Sequence, residues 1–198
     1  MKITNLNNMK TIGEIVQEMG FQVKEFKNYS FGDLKTCKEY FEKTFFEVDN
    51  TYKEFKYIKE YDQIIEWMTD TKGKGLALFG SVGNGKTIIN SFVMPVLFYA
   101  KFNKLLHPQE ANRITKESME KWALLIDDIG TEFIVNDYGT KIDMVADAIN
   151  EAENRSKLLF LTSNLTKDEL ITKYGLRTFD RIKRLCKIVV FTGKSLRS

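Results

Sequence analysis

The chain has one histidine, two prolines and two cysteines in 198 residues, and each scarcity closes off a class of protein. Cys37 and Cys186 lie far apart with no C-x-x-C pairing. A disulfide framework and a zinc site are therefore not expected, and a reducing, cytoplasmic setting fits. His107 stands alone and reads as structural rather than catalytic. No apolar run approaches the roughly 18 residues that span a membrane. The opening residues Met1 to Asn8 lack the apolar core of a signal peptide. No membrane partner is expected. Internal repeats and low-complexity stretches are absent as well. What remains is 43% apolar and 29% charged, a soluble composition with room for one α/β domain and a short extension.

The net charge of +3 is small but unevenly spread. Residues 1–72 carry 11 basic and 13 acidic side chains, whereas residues 177–198 carry seven basic against Asp180 alone. A basic segment of this kind suits a polyanion, either nucleotide phosphate or nucleic acid. For Lys183 and Lys187 a solvated helix face is an equal reading. Of the 25 aromatics, 13 fall in the first 67 residues, interleaved with lysines near 53–59. Such a mixture can stack single-stranded bases; without net positive charge it reads better as helix core.

Residues 80–87 spell Gly80-Ser81-Val82-Gly83-Asn84-Gly85-Lys86-Thr87, a complete G-x-x-x-x-G-K-T loop. An apolar run, Leu76–Phe79, precedes it and a helix-like stretch follows, which is the strand–loop–helix context the motif needs. Glycines let backbone N–H groups turn inward onto phosphate oxygens at a helix N-terminus. Lys86 would reach the β- and γ-phosphates and the Thr87 hydroxyl would hold Mg²⁺. A nucleoside triphosphate is the expected ligand. A second apolar run, Trp122–Ile126, ends in Asp127-Asp128. Asp127 is the candidate Mg²⁺ ligand and Asp128 the carboxylate that orients an attacking water, with Glu132 in reserve. A third run, Leu158–Leu161, ends in Thr162-Ser163-Asn164. The Asn164 amide can donate and accept at once, so it suits contact with that water or the γ-phosphate; capping the helix near Lys167 is the alternative.

Periodicity places helices over 10–19, 34–47 and 58–69, with 20–33 a loop whose Phe21, Phe26, Tyr29 and Phe31 tuck inward. Beyond residue 75 strands and helices alternate. Strands are expected at 76–79, 105–107, 122–126, 158–161 and 188–191. Helices are expected at 87–102 (interrupted at Pro95), 108–118, 141–155, 167–173 and 178–185. Five strands with intervening helices imply a mostly parallel sheet covered on both faces. The expected division is a helical extension over 1–69 and a nucleotide-binding domain over 70–198.

The series Gly80–Thr87, Leu124-Leu125-Ile126-Asp127-Asp128-Ile129-Gly130, Leu161-Thr162-Ser163-Asn164-Leu165 and Tyr174-Gly175-Leu176-Arg177…Asp180-Arg181-Ile182, with Gly193-Lys194-Ser195-Leu196-Arg197 at the end, resembles the AAA+ ATPases of the DnaC/DnaI helicase-loader and IstB group. The resemblance spans residues 70–198. It implies a P-loop NTPase of the AAA+/ASCE type, a three-layer sandwich without a C-terminal lid. It implies ATP and Mg²⁺ as cofactors, Asn164 at the sensor-1 position, and Arg181 as an arginine finger reaching ATP on a neighbouring subunit. Arg177, four residues earlier on the same helical face, supports or replaces it. The alternative for both arginines is binding to DNA or to acidic side chains. The implied partners are single-stranded DNA, a replicative helicase and further copies of the chain. The N-terminal region lacks the zinc-binding cysteines of some loaders and matches no docking module. A transposition accessory ATPase acting on duplex DNA, a small-molecule kinase and a non-hydrolysing adaptor stay open.

Overall fold

The computed structural model describes residues 11–20, 25–49, 56–132, 135–137 and 140–193. Phe21 and the closing Lys194–Arg197 stretch lie outside the described residues. The helices are α1 (Ile12–Glu18), α2 (Leu34–Val48), α3 (Glu60–Thr69), α4 (Lys86–Ile88), α5 (Met94–Phe102), α6 (Lys116–Met119), α7 (Met144–Asn154), α8 (Lys167–Tyr174) and α9 (Leu176–Leu185). The strands are β1 (Gly75–Gly80), β2 (Pro108–Glu110), β3 (Ala123–Ile129), β4 (Val135–Asp137), β5 (Thr140–Ile142), β6 (Leu158–Ser163) and β7 (Cys186–Phe191).

Five strands form one sheet in the order β2-β3-β6-β1-β7, and every pairing in it is parallel. A parallel sheet must be covered on both faces, and β1 shows how the sequence does it. Leu76 and Leu78 join the core on one face, Ala77 and Phe79 the core on the other, as the two-residue period of a strand requires. The first core is aromatic: Tyr29, Phe31, Phe41, Phe45, Tyr61, Trp67, Phe98 and Phe160 pack together. Phe31 meets Phe98 edge to face at 5.2 Å, and Phe98 meets Phe160 in the same way at 5.6 Å. Each fully buried ring contributes about 1.5–3 kcal/mol through burial. Of the N-terminal aromatics, Tyr29, Phe31, Phe41, Phe45, Tyr61 and Trp67 are core, whereas Tyr40 and Phe46 are exposed and Tyr52 and Phe55 lie outside the described residues; α2 and α3 form part of the layer over β1 and β6. The second core sets Val145, Ile149 and Ala152 of α7 and Phe179, Ile182 and Leu185 of α9 against Leu124, Leu159 and Leu161.

The ends of the helices are set by their own side chains. Thr115 and Thr166 each accept from the N–H three residues on, completing capping boxes; a cap of this kind is worth about 0.5–2 kcal/mol. Asp33 accepts from Thr36 N–H and Asp143 from Ala146 N–H.

Three local expectations are corrected. Pro108 does not open a helix over 108–118; it heads β2, followed by a 3₁₀ turn, Ala111–Arg113, and the short α6. β2 is an edge strand, where a residue without an N–H at the first position breaks no ladder. The helix expected from 141 begins at Met144, because 140–142 pairs as β5 with β4 in a two-stranded antiparallel ribbon. The interruption expected at Pro95 is a π-helical turn, Ile89–Val93, just ahead of it. Met94 N–H reaches Ile89 O there, and the helical backbone runs on through Pro95 into α5; a proline, which lacks the N–H and crowds the preceding turn, is a usual cause of such an irregularity.

Candidate functional site

β1 and β3 end at the same edge of the sheet with β6 between them. The Gly-rich loop, the carboxylate pair and Asn164 are thereby brought together from positions far apart in sequence. The loop curls through positive φ at Gly80 (127°), Gly83 (88°) and Gly85 (76°). Gly85 is confined as well as bent: a Cβ there would lie 3.2 Å from the Phe45 ring and 3.4 Å from the Tyr61 hydroxyl. Asn84 braces the loop by donating to Ser81 O at 3.2 Å and to Gly193 O at 3.3 Å. Its own Oδ1 is buried without a partner.

Lys86 is only 6% exposed. Its Nζ donates to Gly80 O at 2.8 Å, Ser81 O at 2.7 Å and Asn164 Oδ1 at 2.9 Å, so its three protons all go to neutral oxygens. Burial pushes its ammonium below the ordinary lysine value, opposed by the charges of Asp128 and Asp127. Asn164 completes the chain by donating from Nδ2 to Asp128 Oδ1 at 2.9 Å. The amide thus accepts from a cation and donates to an anion. Burial, and then the Asp127 charge, raises the Asp128 carboxyl above its usual range, with Lys86 pulling the other way. Thr87 is exposed at the mouth of the site.

Glu132, the reserve carboxylate, is fully engaged elsewhere. It accepts from Gly130 N–H at 2.8 Å, from the Tyr174 hydroxyl, and pairs with Lys173 Nζ at 3.0 Å. That leaves Asp128 as the carboxylate facing Asn164 and Lys86. Sequence reasoning missed Lys173 and Tyr174, which fix this loop, and Thr162, whose hydroxyl donates to Asp127 Oδ1 at 2.6 Å and accepts from Asp128 N–H at 2.7 Å. The available signal was a pair of hydroxyl residues closing an otherwise apolar strand.

Arg181 and Arg177 part company. Arg181 lies at 14% side-chain exposure and donates from Nε to Glu153 Oε2 at 2.8 Å. Arg184 takes the other oxygen of Glu153 at 2.6 Å. Arg177 is exposed and lines an open groove with Lys74, Asp180, Lys183 and Arg184. Lys183 pairs with Asp180 at 3.1 Å. His107 is exposed and away from the carboxylate pair's strand end, at the start of the edge strand.

The sheet order, with the Gly-rich loop leaving the strand beside β6 and the carboxylates leaving β3, defines a P-loop NTPase fold with a five-stranded, all-parallel sheet. Among solved structures the chain is similar to that of the DnaC helicase loader, with a TM-score of 0.55 and 17% identity over 75% of this chain and 98% of that one. It is also similar to DnaI, at a TM-score of 0.47 and 22% identity, over 60% of this chain and 73% of that one. The likeness is one of fold. No model of a protein family matches the sequence, and no curated protein does.

Proposed function

We propose that the chain is an ATPase of DNA replication, binding Mg²⁺ and ATP on the Gly80–Thr87 loop and acting as a helicase loader does. The observation that carries this reading is the hydrogen-bonded chain Lys86–Asn164–Asp128, which joins three separate motifs at the mouth of one loop. Its residues fit the ligands. Lys86 is a buried cation whose directly bonded partners are neutral oxygens, so an incoming phosphate offers it a charged partner at hydrogen-bond distance. The Thr87 hydroxyl and the Asp127 carboxylate are the hard oxygen donors that Mg²⁺ takes. When bound, Mg²⁺ would neutralise charge on the phosphate oxygens.

The roles of the chain's own groups follow. Backbone N–H groups of the loop and Lys86 bind the phosphates. Asp128, directed by Asn164, orients the attacking water, and its raised carboxyl makes it a better proton acceptor than an ordinary aspartate. Arg177 or Arg181 of a second copy supplies positive charge to the transition state, a contribution worth about 10³–10⁵ in rate in related chemistry. The basic face of α9 suits single-stranded DNA, a replicative helicase is the proposed partner, and the setting is cytoplasmic.

The test is calorimetric titration with Mg·ATP and turnover measurements on the wild-type chain and Lys86→Ala, each with single-stranded DNA, duplex DNA or small acceptors added. Binding that disappears in Lys86→Ala and turnover raised by single-stranded DNA are expected. Unchanged affinity in the variant overturns the loop assignment. Stimulation by duplex DNA alone points to a transposition role, and phosphate transfer to an acceptor to a kinase.

A further inference from the structure

The carboxylate pair does not sit in a regular strand. Ile126 of β3 is opposite Leu161 of β6, yet Ile129 is opposite Ser163. β3 advances three residues while β6 advances two, so Asp127 and Asp128 together face Thr162. This is a β-bulge, which breaks ladder pairing and re-aims side chains. Asp128 carries the backbone mark of it, a φ of 56°, which is uncommon outside glycine. The backbone alone does not hold this geometry, because the ladder bonds that would fix it are interrupted.

Two hydroxyls replace them. Ser163 Oγ donates to Ile129 O at 2.6 Å and accepts from Leu165 N–H at 3.1 Å. Thr162 Oγ1 spans the bulge itself. Asp128 N–H can only donate, so the Thr162 oxygen accepts from it and the single hydroxyl proton is left for the Asp127 carboxylate. One oxygen atom therefore sets both the rotation of the Asp127 carboxylate and the left-handed turn at Asp128. That turn in turn sends the Asp128 carboxylate to Asn164 Nδ2. Thr162 is 2% exposed, so no bulk water replaces the hydroxyl if it is removed.

We propose that Thr162 is a positioning residue for the carboxylate pair: through one buried hydroxyl it orients Asp127 toward the cation and Asp128 toward the water. The inference rests on the reading of Asp127 and Asp128 given above. Losing such an outer partner of a metal ligand typically costs 10- to 100-fold in metal affinity or activity.

Thr162→Val keeps the volume and the β-branch and removes only the hydrogen bonds. It should unfold cooperatively and bind a fluorescent ATP analogue without Mg²⁺ as the wild type does, since Lys86 and the loop are untouched. The Mg²⁺ concentration that gives half of the metal-dependent gain in analogue binding should rise 10- to 100-fold, and turnover should fall by a similar factor. Thr162→Ser restores the hydroxyl and should recover most of both. If the valine form does not fold, Thr162→Ser and Thr162→Ala, which differ by the hydroxyl alone, carry the same comparison. A valine form with wild-type Mg²⁺ dependence, or a serine form as impaired as valine or alanine, overturns the inference while leaving the ATPase reading intact. A wild-type chain whose analogue binding ignores Mg²⁺ overturns that reading and the inference with it.

Discussion

Asn164 is exposed, uncharged and bonded to the two most consequential charges of the site. Its amide orientation follows from those partners, because only the oxygen can accept from Lys86 and only the nitrogen can donate to a carboxylate. Removing it should spare nucleotide affinity, which rests on Lys86 and the loop, and should slow turnover. For Asn164→Ala we expect binding within a few-fold of wild type and a turnover loss of about 10²–10³, the scale seen when one fixed hydrogen-bond donor to a reacting site is deleted. Asn164→Asp should lose more, because it places a second negative charge against Asp128. Titration and steady-state kinetics on the two variants decide it; an aspartate form faster than alanine would contradict the assigned amide role. This network was half legible in the sequence. Lys86, Asp128 and Asn164 sit in short motifs that mean the same thing wherever a strand precedes them. The roles of Thr162, Tyr174 and Glu153 depend on which residue faces which across strands and helices, and no local pattern carries that.

Among the elements, the long amphipathic helices and apolar strands were readable to within a few residues, while short elements near prolines were not. Pro108 fits the first turn of a helix and the first residue of an edge strand equally well, and only the pairing of β2 with β3 settles it. The start of α2 shows a different kind of local control. Backbone and side-chain hydrogen bonds from Thr36 hold the Asp33 carboxyl below the usual aspartate range. A carboxyl lowered by folding stabilises the folded chain above its unfolded pKa, and that contribution is lost as pH falls through the folded value. Asp33→Asn keeps a capping side chain but removes the titration. Denaturant midpoints measured at pH 7 and pH 3 should therefore differ less for Asp33→Asn than for the wild type. An equal or larger drop in the variant would show that the Asp33 charge plays no part at the head of α2.

At the scale of the molecule, α9 holds two arginines paired with one carboxylate and a third, Arg177, exposed. Arg181 is tied to Glu153, which also holds Arg184; Arg177 is exposed to whatever lies across the groove. If the chain assembles so that one copy completes the site of the next, a mixture of two inactive variants should recover activity. Lys86→Ala keeps its arginines, and the Arg177→Ala, Arg181→Ala double variant keeps its nucleotide site. Mixed in equal amounts on single-stranded DNA, some interfaces pair a working loop with working arginines, and turnover should return to about a quarter of wild type if subunits mix at random. No recovery in a mixture shown to co-assemble would mean that the arginines act within their own chain. Comparing Arg181→Ala alone, which retains Arg177, with the double variant identifies which arginine crosses the interface.

The aromatic backing of Gly85 has a mechanical meaning. A side chain at Gly85 would press on the Phe45 ring and on the Tyr61 hydroxyl, groups supplied by α2 and α3, 24 to 40 residues upstream. Glycine has no side chain with which to absorb a shift in that surface. Any larger residue at position 85 would have to push into rings that α2 and α3 hold in the aromatic core.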